Sequence, residues 1–319
     1  MRLPAVTALV TALLLASACG KSSTRAAGIC GRQPVKLVAL TDLDGGLYHG
    51  FHGGLYPQGR NSPPAGYLAE GRAAARQVQP LGPRGRPSPD GQIVLLSIGM
   101  SNAAQEFGEF DQVVAPQPHD PHLTIVDGAQ GGEDAGLVAS SPMYWTVVNH
   151  RLAAASVDSR QVQVVWLKEA IADPTGGFPA DAVGLESDLE AILGILSRQF
   201  PNLRLVYVSS RTYGGYATTP LNPEPYAYDS GFAVKWLVAR NIQHRSRRPW
   251  VGWGPYLWTD GTNGRQDGLV WTCDDVVADG THPSASGRLK VADLLLHFFT
   301  TDPTARTWFL RPKPPAKSS

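Results

Sequence analysis

The sequence predicts an α/β fold with a doubly wound, mainly parallel sheet, and three observations carry that prediction. Five short runs of branched apolar residues are near-continuous instead of alternating, the pattern of strands buried on both faces. Longer stretches with apolar residues at helical spacing lie between them. Charge is low: Asp, Glu, Lys and Arg make up 17% of 319 residues, and 43% are apolar. An average soluble protein has roughly 25% charged residues, so this composition belongs to a folded chain and excludes a charge-driven disordered one.

The chain begins with Met1-Arg2 and an uncharged stretch from Leu3 to Ala18, shorter than the roughly 20 residues that span a bilayer. A basic residue, an apolar centre and a small-residue exit mark 1–18 as a signal peptide. Leu15-Ala16-Ser17-Ala18-Cys19, followed by Gly20 and a polar run from Lys21 to Thr24, resembles a bacterial lipobox with Ala in place of the usual Leu. That resemblance implies cleavage before Cys19 and acylation of its thiol, so the mature chain meets the membrane through a lipid anchor. Export is expected on either reading: a cell-envelope lipoprotein, or otherwise a periplasmic or secreted protein. Residues 19–34 are the linker that follows.

A single domain is expected over 35–310. Its strands are Val35 to Leu40, Ile93 to Ile98, Leu123 to Val126, Val162 to Leu167 and Leu203 to Val208. The helical patterns run from Gly66 to Gln79, Met143 to Ala155, Asp181 to Phe200, Phe232 to Ile242 and Ser286 to Phe299. Asp181 to Phe200 is the clearest, with Leu185, Leu189, Ile192, Leu193 and Leu196 along one stripe. Strands alternating with helices at this spacing make one doubly wound sheet. Asp42 to Pro64, Gly82 to Gly91 and Gly214 to Tyr228 are rich in Gly, Pro or aromatics and read as long loops, which in a compact domain are often functional. The basic, Pro-rich tail over 311–319 reads as disordered.

The formal net charge is +1, which excludes the electrostatic footprint that nucleic-acid binding needs. Three cysteines are too few for a disulfide scaffold and lack the Cys-x-x-Cys spacing of a zinc site. With Cys19 assigned to the lipid, Cys30 and Cys273 are left as a candidate pair in an oxidising compartment.

Open parallel sheets bind ligands beyond the carboxyl ends of their strands. Gly99-Met100-Ser101-Asn102 follows the second run and places a serine at the turn out of the strand. Gly131 and Gly132 follow the third, where glycines let backbone N–H groups face a ligand. Lys168 and Glu169 follow the fourth. In Asp279-Gly280-Thr281-His282-Pro283, two intervening residues let the carboxylate fold back onto the imidazole, leaving the other ring nitrogen free for a serine proton.

Together these motifs resemble the SGNH/GDSL hydrolase superfamily, over roughly two thirds of the chain from Ile93 to Phe299. The Ser-Asn step resembles the carbohydrate and sialate O-acetylesterase branch. The resemblance implies a three-layer α/β/α fold with Ser101 as nucleophile, His282 as general base and Asp279 as its orienting acid. It implies oxyanion donors at the backbone of Ser101 and of Gly131 or Gly132. The third block departs from the family: Trp166-Leu167-Lys168-Glu169 stands where the branch has Trp-x-Gln-Gly-Glu. Either Lys168 donates to the oxyanion in place of that amide, or the third donor is missing. The elbow of an ordinary α/β-hydrolase would need Gly at the place of Ala103.

The expected activity is therefore that of a serine ester hydrolase on a small-molecule or carbohydrate ester, which the resemblance implies is an O-acetyl sugar, without cofactor or metal. The alternative is a non-catalytic glycan-binding surface lipoprotein with a degenerate SGNH fold. His49 with His52, and His119 with His122, lack recognisable metal-ligand spacing. Trp250, Trp253, Tyr256, Trp258 and Trp271 read either as core or as an aromatic wall beside the catalytic loop.

Overall fold

The structure is a computed structural model that describes residues 35–244 and 249–310. A small antiparallel hairpin, β1 (Leu47–Tyr48) and β2 (Phe51–His52), precedes the main domain. The main sheet is built from β3 (Ile93–Gly99), β4 (Leu123–Asp127), β5 (Val162–Lys168), β6 (Leu205–Val208) and β7 (Trp250–Trp253). Its order is β4-β3-β5-β6-β7, and every pairing is parallel. The helices are α1 (Ala65–Ala75), α2 (Ser101–Val114), α3 (Ala135–Ser140), α4 (Pro142–Ala154), α5 (Ala180–Gln199), α6 (Tyr226–Gln243), α7 (Ala285–Thr301) and α8 (Arg306–Phe309). Among the described residues, no helix is long and apolar enough to cross a membrane.

The chain steps from β3 outward to β4, then reverses to β5, β6 and β7. Right-handed crossovers taken in opposite directions put α2 on one face and α4, α5 and α6 on the other. All seven residues of β3 and of β5 are buried, which is why their sequences run apolar without alternation. On the α2 face, Phe107 stacks on Trp166 with centroids 5.5 Å apart, and Phe110 meets Phe299 of α7 at 5.4 Å. Truncating either Phe to Ala costs about 3–5 kcal/mol.

The α/β class and the parallel sheet are as expected, with two differences of membership. Val35 to Leu40 is not a strand. The N–H groups of Val35 and Lys36 donate to the Asp260 carboxylate at 2.8 and 3.0 Å, and Lys36 has a φ of 62°. The Leu40 N–H donates to the Tyr256 hydroxyl, so side chains satisfy a backbone that a ladder would otherwise pair. The fifth place in the sheet goes to β7, whose Trp-Val-Gly-Trp sequence is short and broken by glycine. Gly252 is needed there, because a Cβ would run into the Trp250 ring.

Candidate active site

The reversal of strand order falls between β3 and β5, and the crevice at their carboxyl ends is where such sheets bind ligands. Gly99 ends β3 against Lys168 of β5, and a Cβ on it would collide with the Lys168 carbonyl and with Ala103. Glycine thus allows α2 to start directly off the strand, with Met100 extended as its N-cap and Ser101 as its first residue. The Tyr144 hydroxyl of α4 closes the same corner, accepting from the Gly99 N–H at 3.1 Å.

Ser101 Oγ lies 2.8 Å from His282 Nε2, and His282 Nδ1 lies 2.6 Å from Asp279 Oδ2. The other Asp279 oxygen accepts the Thr281 and His282 N–H groups, each at 2.9 Å. Burial pushes the Asp279 carboxyl up, but the His282 ring and these two N–H donors outweigh it and hold the group below its ordinary range. An ionised Asp279 is the state that fixes the Nδ1–H tautomer and leaves Nε2 as acceptor for the serine proton.

The loop carrying this pair is tied down from three sides. Asn102, buried beside Ser101, donates through Nδ2 to the Thr281 carbonyl at 2.8 Å. The Thr218 N–H and hydroxyl donate to the Asp279 carbonyl at 2.9 and 3.0 Å. Gly280 has a φ of 67° and packs against the Tyr216 carbonyl so closely that a Cβ has no room.

Gly131 stands opposite Ser101, since a Cβ placed on it would be 3.8 Å from Ser101 Cβ. Gly132 follows with a φ of 82°. Arg151 of α4 holds the loop before them, donating through Nη1 to the carbonyls of Asp127 at 2.9 Å and Ala129 at 2.7 Å. Asp127 in turn accepts from Ser97 Oγ at 2.5 Å and from the Ala129 N–H at 3.0 Å. The Gln130 N–H donates to the Gly99 carbonyl at 2.8 Å, fastening this loop to the end of β3.

Lys168 is placed differently from the expected oxyanion donor. Its Nζ donates to both Glu106 carboxylate oxygens, and the two side chains are 1% and 0% exposed. Burial lowers the Lys168 ammonium to about 8 even with Glu106 beside it. Glu169 is buried too, and desolvation pushes its carboxyl well up. Arg211, whose guanidinium burial pushes down, feels Glu106, Glu169 and Glu224. Glu224 is pushed up to about 7 by burial, although it accepts from Gly214 N, Tyr228 N and Trp258 Nε1. Glu106, Arg211 and Glu224 carry no marker in sequence; a charged residue in an otherwise apolar helix stripe is the sole hint at Glu106.

The Trp and Tyr residues from 250 to 271 belong to the core. Trp253, Trp258 and Trp271 are 4%, 0% and 3% exposed and donate their indole N–H groups to Leu55, Glu224 and Leu257. His119 and His122 turn to the backbone carbonyls of Gln117 and Gly91. Cys273 is disulfide-bonded; Cys19 and Cys30, with the signal peptide, the linker and the basic tail, lie outside the described residues.

No protein-family model matches the chain, and no curated relative matches it. Among solved structures it is similar to a family 3 carbohydrate esterase from Talaromyces cellulolyticus, at 13% identity and a TM-score of 0.41 over 64% of this chain and 94% of the other. The periplasmic domain of a lipopolysaccharide acetyltransferase from Salmonella ser. Paratyphi A aligns at 14% identity and a TM-score of 0.39, over 73% and 94%. The psychrotrophic esterase EstA from Pseudoalteromonas aligns at 13% identity and a TM-score of 0.39, over 65% and 96%.

Proposed function

We propose that this chain is an exported serine esterase of the SGNH type, lipid-anchored at Cys19, that removes acyl groups, chiefly acetyl, from a carbohydrate. The observation that carries the reading is the continuous line from Asp279 Oδ2 through His282 to Ser101 Oγ, at 2.6 and 2.8 Å, with the serine at a strand-to-helix turn beside Gly131. Ser101 Oγ attacks the ester carbonyl carbon while His282 Nε2 takes its proton. The carbonyl oxygen becomes an oxyanion facing the N–H groups of Ser101 and the Gly131 loop. Collapse breaks the C–O bond, His282 returns the proton to the leaving alcohol, and an acyl-serine remains. Water then attacks with its proton passing to His282, releasing the carboxylic acid and restoring Ser101.

The engagement of Lys168 with Glu106 favours a second reading, a glycan-binding protein of weak turnover, because one oxyanion donor typically accounts for about 10²–10³ in rate. One experiment separates the two. The mature protein is assayed on an aryl acetate and treated with a serine-reactive organophosphonate, beside Ser101→Ala. The esterase reading expects turnover and labelling at Ser101, both lost in the variant. Equal rates in the two proteins with no label would overturn it, and retained binding of an acetylated glycan would then support the second reading.

A further inference from the structure

Among the described residues, two hydrogen bonds join α2 to the loop that carries Asp279 and His282, and the reaction treats them differently. One is the contact of Ser101 Oγ with His282 Nε2 at 2.8 Å. The other runs from Asn102 Nδ2 to the Thr281 carbonyl, also at 2.8 Å, between two buried residues. In the serine esterase cycle the first bond cannot persist. Once Ser101 carries an acyl group its Oγ has no proton to give, and His282 serves a water molecule instead. The Asn102 bond contains no reacting atom and lasts through the whole cycle.

The group that Asn102 grips is the planar peptide between Thr281 and His282. The N–H of that same peptide donates to Asp279 Oδ1 at 2.9 Å, so the plane leading into His282 is held at both ends. Pro283 follows and keeps the His282 backbone out of the helical region. The ring itself is held at Nδ1 by Asp279 Oδ2 at 2.6 Å. Thr218 ties the Asp279 carbonyl to a second loop, which leaves the approach of His282 to α2 to Asn102 and Ser101. Among the described residues the Thr281 carbonyl accepts from no other donor, and loss of the Asn102 amide strands a buried acceptor that gains by moving toward water.

We propose that Asn102 is a positioning residue for the second half of the reaction, holding His282 over the acyl-serine when no serine hydrogen bond remains to do so. The inference rests on the esterase reading. During acylation both contacts with α2 align His282; during deacylation Asn102 alone does. In that step water attacks the acyl carbonyl carbon and gives a proton to Nε2. The ester C–O bond to Ser101 then breaks, and the proton passes to Ser101 Oγ. A displacement of Nε2 by about 1 Å is enough to cost about 10²-fold.

The test compares the wild-type mature protein with Asn102→Leu, which keeps the bulk of the side chain without its amide, and with Asn102→Asp, which sets a carboxylate against the Thr281 carbonyl. The endpoint of organophosphonate labelling counts active sites, so loss of folded protein does not enter the rates. Stopped-flow hydrolysis of an aryl acetate then separates the burst of acylation from steady-state deacylation. In Asn102→Leu deacylation should slow by about 10- to 100-fold and acylation by less than about tenfold. The values of kcat and KM should fall together as acyl-enzyme accumulates, and Asn102→Asp should be slower still. Equal rates per active site in Asn102→Leu and wild type overturn the proposal. So does an equal fall of acylation and deacylation, the mark of a general structural loss. Where Asn102→Leu fails to fold, Asn102→Ser, whose hydroxyl is too short for the same carbonyl, is held to the same criteria. Wild-type protein with neither turnover nor label counts against the esterase reading, and amide hydrogen exchange then decides on Asn102. Gly280, Thr281 and His282 should exchange about tenfold faster in Asn102→Leu; unchanged exchange overturns the proposal whether or not the protein turns over an ester.

Discussion

Replacing Lys168 by Met removes the ammonium but leaves Glu106 with both carboxylate oxygens in the interior, at 0% side-chain exposure. A buried ion pair broken from one side typically costs about 3–5 kcal/mol, because the remaining charge loses its partner without gaining water. Arg211 also feels Glu106 and moderates the loss, so the expected cost lies near the lower figure, about 3 kcal/mol. In a domain of this size that lowers Tm by about 6–10 °C. The double variant Lys168→Met with Glu106→Leu removes both charges and fills the space with apolar atoms, and should return to within about 1 kcal/mol of the parent. The measurement is a double-mutant cycle by urea unfolding, followed by aryl acetate turnover of the stable double variant. A single variant as stable as the parent, or a double as unstable as the sum of the singles, refutes the assignment of Lys168 to an internal ion pair. Turnover preserved in the double variant removes Lys168 from the oxyanion hole; turnover lost by about 10²–10³ restores it there.

Asp279→Asn should lower kcat by about 10⁴ with KM little changed, since an amide at that place favours the wrong imidazole tautomer; steady-state assay on an aryl acetate decides it. Arg151→Met should free the carbonyls of Asp127 and Ala129 and lower kcat by about 10- to 100-fold, with Arg151→Lys intermediate; equal kcat in all three proteins removes Arg151 from a positioning role. Stability should fall as pH rises from about 4.5 to 7. The folded Glu224 and Asp229 carboxyls, at about 7 and about 6, keep protons that the unfolded chain has released. For Glu224 the span from 4.5 to about 7 corresponds to about 3 kcal/mol. Asp279 and Asp275, held below their ordinary range, contribute stability that is lost as pH drops under it, so Tm should peak near about pH 4.5. A Tm that climbs from pH 5 to pH 8 contradicts this.

The strands β3, β5 and β6 were legible to within a residue or two, because burial on both faces writes an uninterrupted apolar run, and the edge strand β4 was legible from its branched residues alone. Val35 to Leu40 carries the same local pattern and still forms no strand, since Asp260 and Tyr256, more than 200 positions away, capture its backbone N–H groups. Helix α2 was hidden because half its residues are polar, Asn102 and Glu106 among them, and both of these face inward. Similarly, β7 was masked by tryptophans and a glycine that make sense only against β6 and α1.

What the sequence determined by itself is whatever short-range chemistry can encode: strand and helix periods, a serine and glycines after strands, and an Asp three residues before a His. The tertiary structure decided which of these meet. Ser101 and His282 are 181 positions apart, and only the parallel sheet with its order reversal brings them to 2.8 Å. It also decided that Lys168, on the strand next to the one that leads into Ser101, turns inward to Glu106, 62 positions back. A charged side chain reads the same in sequence whether it faces solvent, substrate or another charge. Only the packing around it sets the desolvation that separates those cases.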